Sequence, residues 1–286
     1  MNILSEFLWA PFAFEFMRSA LEIALILSVL CACLGVLLVP RGLSMLGDGL
    51  AHSTFGGIGI GLMSGLALEE SIWVSLPFAV LIGFGIVWLG RHTKLAGDAA
   101  LGVFFAVSLA IGIAALHVVS KRSSGIDIEA VLFGNILGVQ PSEIAAIRVF
   151  GSLCLVSLVY LLPRIAYAGF YAELASLSGI RVVAKEYLLI AMTAVATVLA
   201  VKAVGVMLVS AWLVIPATIG RHLSRTFGAM LFWTILTAIL GSTIGLVISF
   251  NFDIPSGSSM TLSLGVLFIV ALVFKGLVKN RANQFS

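Results

Sequence analysis

Nine apolar runs, parted by short polar breaks, organise this chain. The first extends from Met17 to Val39 and stops at Pro40-Arg41. The next three cover Leu43 to Leu66, Ile72 to Leu89 and Asp98 to Val118. After a polar stretch come Ile144 to Leu162, Val183 to Ala203, Val204 to Ile219, Phe227 to Phe250 and Ser256 to Phe274. Most approach the roughly 20 residues that an α-helix needs to cross a hydrocarbon layer about 30 Å thick. The pattern predicts an all-α, polytopic transmembrane bundle of eight to nine spans forming one domain over residues 1–286. The uncertain crossing is 204–219, which is short and interrupted by Gly205 and Pro216.

Three segments break the rule. Residues 1–16 mix Phe7, Trp9, Phe12 and Phe14 with Glu6 and Glu15, which suits an arm lying at headgroup level. Residues 120–143 are too polar to cross and too apolar for a free loop, so a short surface helix is expected over Ile128 to Ile136. Residues 163–182 are a second such segment, with a short helical core from Phe170 to Ser176.

Composition agrees with the pattern: 61% of residues are hydrophobic and 10% charged, with a mean hydropathy of +1.19, against about 25% charged in an ordinary soluble domain. The net charge of +3 does not mark a nucleic-acid binder, because the cations sit at the ends of apolar runs. Cys31, Cys33 and Cys154 lie inside runs and read as small buried hydrophobes. No small-residue cleavage site follows the opening residues, so the first spans are expected to direct insertion. With nine crossings and the N-terminus outside, eleven cations, among them Arg41, Arg91, Lys185, Arg221 and Arg225, fall in the cytoplasm. Five, including Arg18, Arg148 and Lys202, fall outside, which is the expected bias. This orientation puts 120–143 outside, as an outer docking segment, and 163–182 inside.

Within the second run lie Asp48 and His52, four residues apart and therefore on one helical face. Counted along a helix from Arg41, they sit about 10 and 16 Å in, near mid-membrane. Ionisable groups there are expensive and by default mark an ion or substrate path. The competing reading is that Asp48 caps a broken helix while His52 donates to a carbonyl inside the bundle. Glu22, Asp98 and His117 are weaker candidates for the path or its outer mouth. Asp98 also reads as an N-cap, and Glu22 could pair with Lys202. His92 and His222 belong to basic inner loops. Gly56, Gly57, Gly59 and Gly61 permit close helix approach. No GxxxxGK[ST] phosphate loop is present. Active transport would therefore draw on an ion gradient or on a separate ATPase docking at 163–182.

Six segments, in order, resemble the permease subunits of zinc- and manganese-type (and iron-type) bacterial ABC transporters. They are LGDGLAHSTFGGIGIG at 46–61, GDAALGVFFAVSLAIG at 97–112, VLFGNILGV at 131–139, FYAELASLSGI at 170–180, VGVMLVSAWLVIPA at 204–217 and DIPSGSSMTL at 253–262. Gly49, Gly56 and Ser258 depart from the usual residues, and Gly56 stands where Pro is frequent, which bears on the bend of the second span. The aromatic N-terminal arm is closer to the manganese/iron branch. The resemblance implies a permease of the cobalamin-permease-like type in the bacterial inner membrane, working as a homodimer. It further implies a cytoplasmic ATPase dimer below and an extracytoplasmic metal-binding protein above. The chain itself would be no enzyme and hold no permanent cofactor; its cargo would be Mn²⁺, Zn²⁺ or Fe²⁺.

On that reading a two-fold axis brings two Asp48 and two His52 together, up to four first-row metal ligands. A weak site suits conduction, since the ion must leave. Phe170, Glu173, Leu174 and Gly179 would couple to the ATPase, and Gly205 and Pro216 would shape helix packing. The alternative is a permease for a metal chelate (siderophore, haem or cobalamin), which needs a wide cavity and no ligating pair. A gradient-driven carrier would show ligands on several helices or inverted repeats. An intramembrane hydrolase would need a nucleophile, base and orienting group drawn together. Neither pattern is present.

Overall fold

A computed structural model of the chain describes residues 10–67, 70–93, 97–120, 136 and 141–284; the side chains of 10, 97, 98, 120, 141, 142, 207 and 276–284 fall outside the description. Among the described residues every regular element is helical. In chain order they are α1 (Glu15–Leu38), α2 (Leu46–Met63), α3 (Ile72–His92) and α4 (Gly97–Ser120). Next come α5 (Pro141–Ala146), α6 (Ser152–Phe170), α7 (Ala172–Leu177) and α8 (Val182–Val204). The chain closes with α9 (Val206–Leu223), α10 (Phe227–Phe252) and α11 (Ser256–Gln284). A π-helical turn, Ile147–Gly151, joins α5 to α6 as one rod.

Seven of these helices are long and apolar enough to cross a membrane: α1, α3, α4, the α5–α6 rod, α8, α10 and α11. The centre is built by α1, α8 and α9, with Leu27, Leu30, Leu34, Ala194, Leu208 and Trp212 fully buried. Around it, α3, α6 and α11 turn Trp73, Leu81, Leu153, Val156, Leu262 and Val266 outward. A helix apolar on all sides belongs in hydrocarbon, where such an exterior is solvated as well as its core.

The polar α2 sinks between its neighbours instead. Gly56, Gly57, Gly59 and Gly61 allow this, because each faces a helix where a Cβ would collide. At Gly56 and Gly59 the nearest atoms would be the Ser108 and Gly112 carbonyl oxygens of α4, at 2.7 and 2.9 Å. At Gly57 and Gly61 they would be Ser75 Cα, at 2.5 Å, and Ser71 Cβ, at 2.8 Å, on the α3 side. The helix runs unbroken through Gly56. Buried hydroxyls are satisfied locally: Ser53 Oγ donates to Gly49 O at 2.7 Å and Thr54 Oγ1 to Leu50 O at 3.0 Å.

Several boundaries move from their expected places. The second helix starts at Leu46, not Leu43, because Gly42 takes the left-handed φ of 74° and Leu43 N–H returns to Leu38 O. It stops at Met63, ahead of Gly65 at φ 87°. The fifth run does not end at Leu162: α6 continues through Pro163 to Phe170. A proline frees one carbonyl, and a packed membrane helix tolerates that. The short helix expected from Phe170 to Ser176 begins at Ala172, since Tyr171 leaves helical geometry at φ −133°, ψ 57°. The short run 204–219 becomes an 18-residue helix that passes through buried Pro216 and reaches Leu223. At the N-terminus, α1 begins at Glu15, inside the expected arm, and the Phe14 and Phe16 rings lie 5.7 and 6.3 Å from that of Phe250. Residues 1–9 of the arm lie outside the described residues. So does the helix expected over Ile128 to Ile136, except buried Ile136, whose N–H donates to Ser256 Oγ at 3.3 Å.

Candidate functional site

Asp48 stands in the first turn of α2 and His52 one turn on. Residues 42–45 are a turn and not helix, so the helical count from Arg41 does not carry across them. A carboxylate in a first turn is favoured by the free N–H groups and the helix dipole. Both side chains are half-buried and border a concavity of about 470 Å³, shared with Met45, Gly49, Leu101, Gly102 and Phe105. The far wall is therefore α4. Phe105 meets the His52 ring edge-on, centroids 4.4 Å apart and planes at 74°, which fixes the ring's tilt.

Met45, not Asp48, occupies the N-cap of α2, and no side chain caps that end. His52 Nδ1 is buried and has no hydrogen-bond partner among the described residues. A buried polar nitrogen left unmade is costly unless something outside the chain satisfies it. Neither contact of the capping-and-carbonyl reading is formed. No group of three or more His, Cys, Asp or Glu gathers among the described residues.

The other candidates lie elsewhere. Glu22 pairs with Arg148 and not with Lys202: Arg148 Nε and Nη2 donate to its two carboxylate oxygens at 2.6 and 2.7 Å. Lys202 instead meets Glu143, 3.0 Å away. Asp98 lies in the first turn of α4, its side chain outside the described residues; His117 is exposed in the last turn of the same helix. Phe170 ends α6, and Glu173 and Leu174 are exposed on α7. Gly179 closes the turn after α7 at φ 77°. Gly205, at φ 81°, turns the chain from α8 into α9. Cys31, Cys33 and Cys154 are free and buried.

Sequence reasoning missed the α4 wall. Leu101, Gly102 and Phe105 follow helical spacing, but nothing in that spacing says which helix faces Asp48. It also missed a largely basic cavity of about 550 Å³ lined in part by Arg41, Arg91, Lys185 and Glu186.

A family model described as the ABC 3 transport family matches residues 13–275. The chain belongs to the ABC 3 transport family. It is 30% identical to a probable iron transport system membrane protein of Haemophilus influenzae, over 94% of this chain and 97% of that one. It is 28% identical to the manganese transport system membrane protein MntB of Synechocystis, over 92% and 84% of the two chains. Among solved structures, PsaBC from Streptococcus pneumoniae in complex with Fab superposes with a TM-score of 0.81 at 26% identity, covering 94% of this chain and 95% of that one. The all-helical architecture is shared with that solved relative.

Proposed function

We propose that this chain is the translocation subunit through which a divalent transition metal ion, Mn²⁺, Zn²⁺ or Fe²⁺, passes from an extracytoplasmic binding protein to the cytoplasm. Two copies form the path, and a separate ATPase dimer docks on α7 from the cytoplasm. The observation that carries this reading is the orphaned, buried Nδ1 of His52 beside Asp48, in a concavity that one copy leaves open.

Solvation calls for a second copy. A carboxylate and an imidazole opening sideways into hydrocarbon would be heavily penalised. Along α4 the residues continuing from the concavity are exposed, small or apolar: Gly102, Ala106, Val107, Ala110 and Ala114. A two-fold mate laid on that stripe would cover the opening and supply the missing ligands. Nine crossings complete the reading. At 18 residues each, α2 and α9 are about 27 Å long, close to the hydrocarbon thickness. Their lower hydropathy is tolerable because neighbours shield them.

The test is uptake of radioactive manganese and zinc in cells that carry the chain with its ATPase and binding protein. Wild type is compared with Asp48→Ala and His52→Ala at equal membrane abundance. Loss of uptake in both variants supports the path, and the better-transported isotope names the cargo. Normal uptake in both would show the two residues to be structural.

A further inference from the structure

The corner between α1 and α2 is clasped to the root of α7 by one side chain. Arg41 closes the 3-10 turn Val39–Arg41. Its Nη2 donates to Ile165 O, near the C-terminus of α6, at 2.8 Å. Its guanidinium carbon lies 5.8 Å from the centroid of the Phe170 ring, the last residue of α6. A cation at a helix C-terminus meets unpaired carbonyls and the negative end of the dipole, and the ring face adds a cation–π attraction. Phe170 also meets Phe227 at the start of α10 edge-on, centroids 6.0 Å apart.

Gly169 makes the clasp possible. A Cβ there would land on the Arg41 guanidinium itself, so only glycine admits this geometry. Arg41 Nε is buried without a hydrogen-bond partner, so the side chain is held in place by its far end. Beyond Arg41 only Gly42 to Met45 intervene before α2. This link is stiffened by Leu43 N–H to Leu38 O and Leu46 N–H to Leu43 O, both at 3.1 Å. Asp48 and His52 follow within two turns. The Arg41 guanidinium thereby joins the end of α6, next to the segment that faces an ATPase, to the helix that bears the ligand pair.

We infer that Arg41 is a positioning residue for transport: a strut that makes the N-terminus of α2 move with α7. It deepens the proposed function and rests on it, since α7 is taken as the ATPase-facing helix. Docking below would displace α7 and Phe170, and Arg41 would carry that displacement to the start of α2.

Two variants cut the strut differently. Arg41→Ala removes it, whereas Gly169→Ala leaves Arg41 in the chain and only expels its guanidinium, a flexible end that can swing aside. The assembled transporter, with its ATPase and manganese- or zinc-loaded binding protein, is placed in liposomes and followed for isotope uptake and ATP hydrolysis together. Both variants are expected to hydrolyse ATP while moving about tenfold less metal per ATP, the scale of an ordinary coupling between sites. Arg41→Lys, which keeps the charge but loses the planar fork, should fall between. A second measurement needs no metal transport. Spin labels are placed at exposed Met45 and Leu177, with labelled chains diluted into unlabelled ones. Wild type should hold one narrow separation with and without ATP, and both variants should broaden it. The inference is overturned if the variants keep wild-type metal per ATP, or if the label separation stays narrow in Arg41→Ala. Should wild type itself move no metal, the transport reading fails while the label measurement still judges the strut.

Discussion

Lys202 Nζ of α8 lies 3.0 Å from Glu143 Oε1 of α5, with both side chains more than four-fifths buried. They tie the start of the α5–α6 rod to the end of α8, just before the Gly205 turn into α9. Removing one partner leaves a charge in a poorly solvated place, which is more damaging than losing an exposed pair. Glu143→Gln should therefore destabilise by about 2 kcal/mol, lowering the melting temperature by roughly 5 °C. The Glu143→Leu, Lys202→Met double variant should recover most of that. Thermal melts of detergent-solubilised protein check both, and equal melts for the single and double variants would contradict the buried-charge argument.

The Glu22–Arg148 pair is the contrast. Its geometry is bidentate, but the side chains are 42% and 54% exposed. Exposed pairs contribute little, because water and salt screen them. Glu22→Gln should leave both melting temperature and metal uptake near wild type. A tenfold loss of uptake would instead return Glu22 to the path.

Glycines on α2 separate into two kinds. A Cβ at Gly49 would meet nothing closer than Leu101 Cδ2 at 3.7 Å, an ordinary contact. Gly49→Ala should be neutral or stabilising, since alanine is favoured over glycine in a helix by about 1 kcal/mol. At Gly57 the obstacle is the Ser75 backbone at 2.5 Å, which has no flexible end to swing away. Gly57→Ala should cost about 1–3 kcal/mol by pushing α2 from α3. Membrane abundance and melting temperature report both.

Trp212 is fully buried and its indole N–H donates to Ser242 Oγ at 2.9 Å, joining α9 to α10. Ser242→Ala strands that donor and should cost about 1–3 kcal/mol. Trp212→Phe removes donor and ring edge together, so its loss reflects packing instead. The two melts compared with the double variant give the coupling.

Phe105 sets the tilt of His52 by an edge-on contact. Such contacts are worth about 0.5–1.5 kcal/mol. Phe105→Leu should lower metal uptake about threefold to tenfold at unchanged abundance. Uptake at the wild-type rate would mean that the ring's tilt does not matter to the ion.

The ordering of the spans was legible in the chain because transfer into hydrocarbon is a local sum over about twenty consecutive residues. The same arithmetic underrated α9, since it scored Arg221 and His222 as loop when they form the helix's last turn. It also stopped the fifth run at Pro163, where packing carries the helix on. The Asp48–His52 pair was readable because helical spacing alone sets their shared face. Family membership was readable too, from motifs in fixed order along the chain.

The tertiary structure decided what lies opposite. That Glu22 meets Arg148 and Lys202 meets Glu143 depends on which helices lie side by side, 126 residues apart in the first case. That Gly169 must be glycine depends on an arginine 124 residues before the carbonyl it binds. That α4 walls the concavity beside Asp48 follows from glycines letting two backbones meet. Hydropathy places each segment in the membrane one at a time; close packing chooses its neighbours, and that choice is a property of all the helices together.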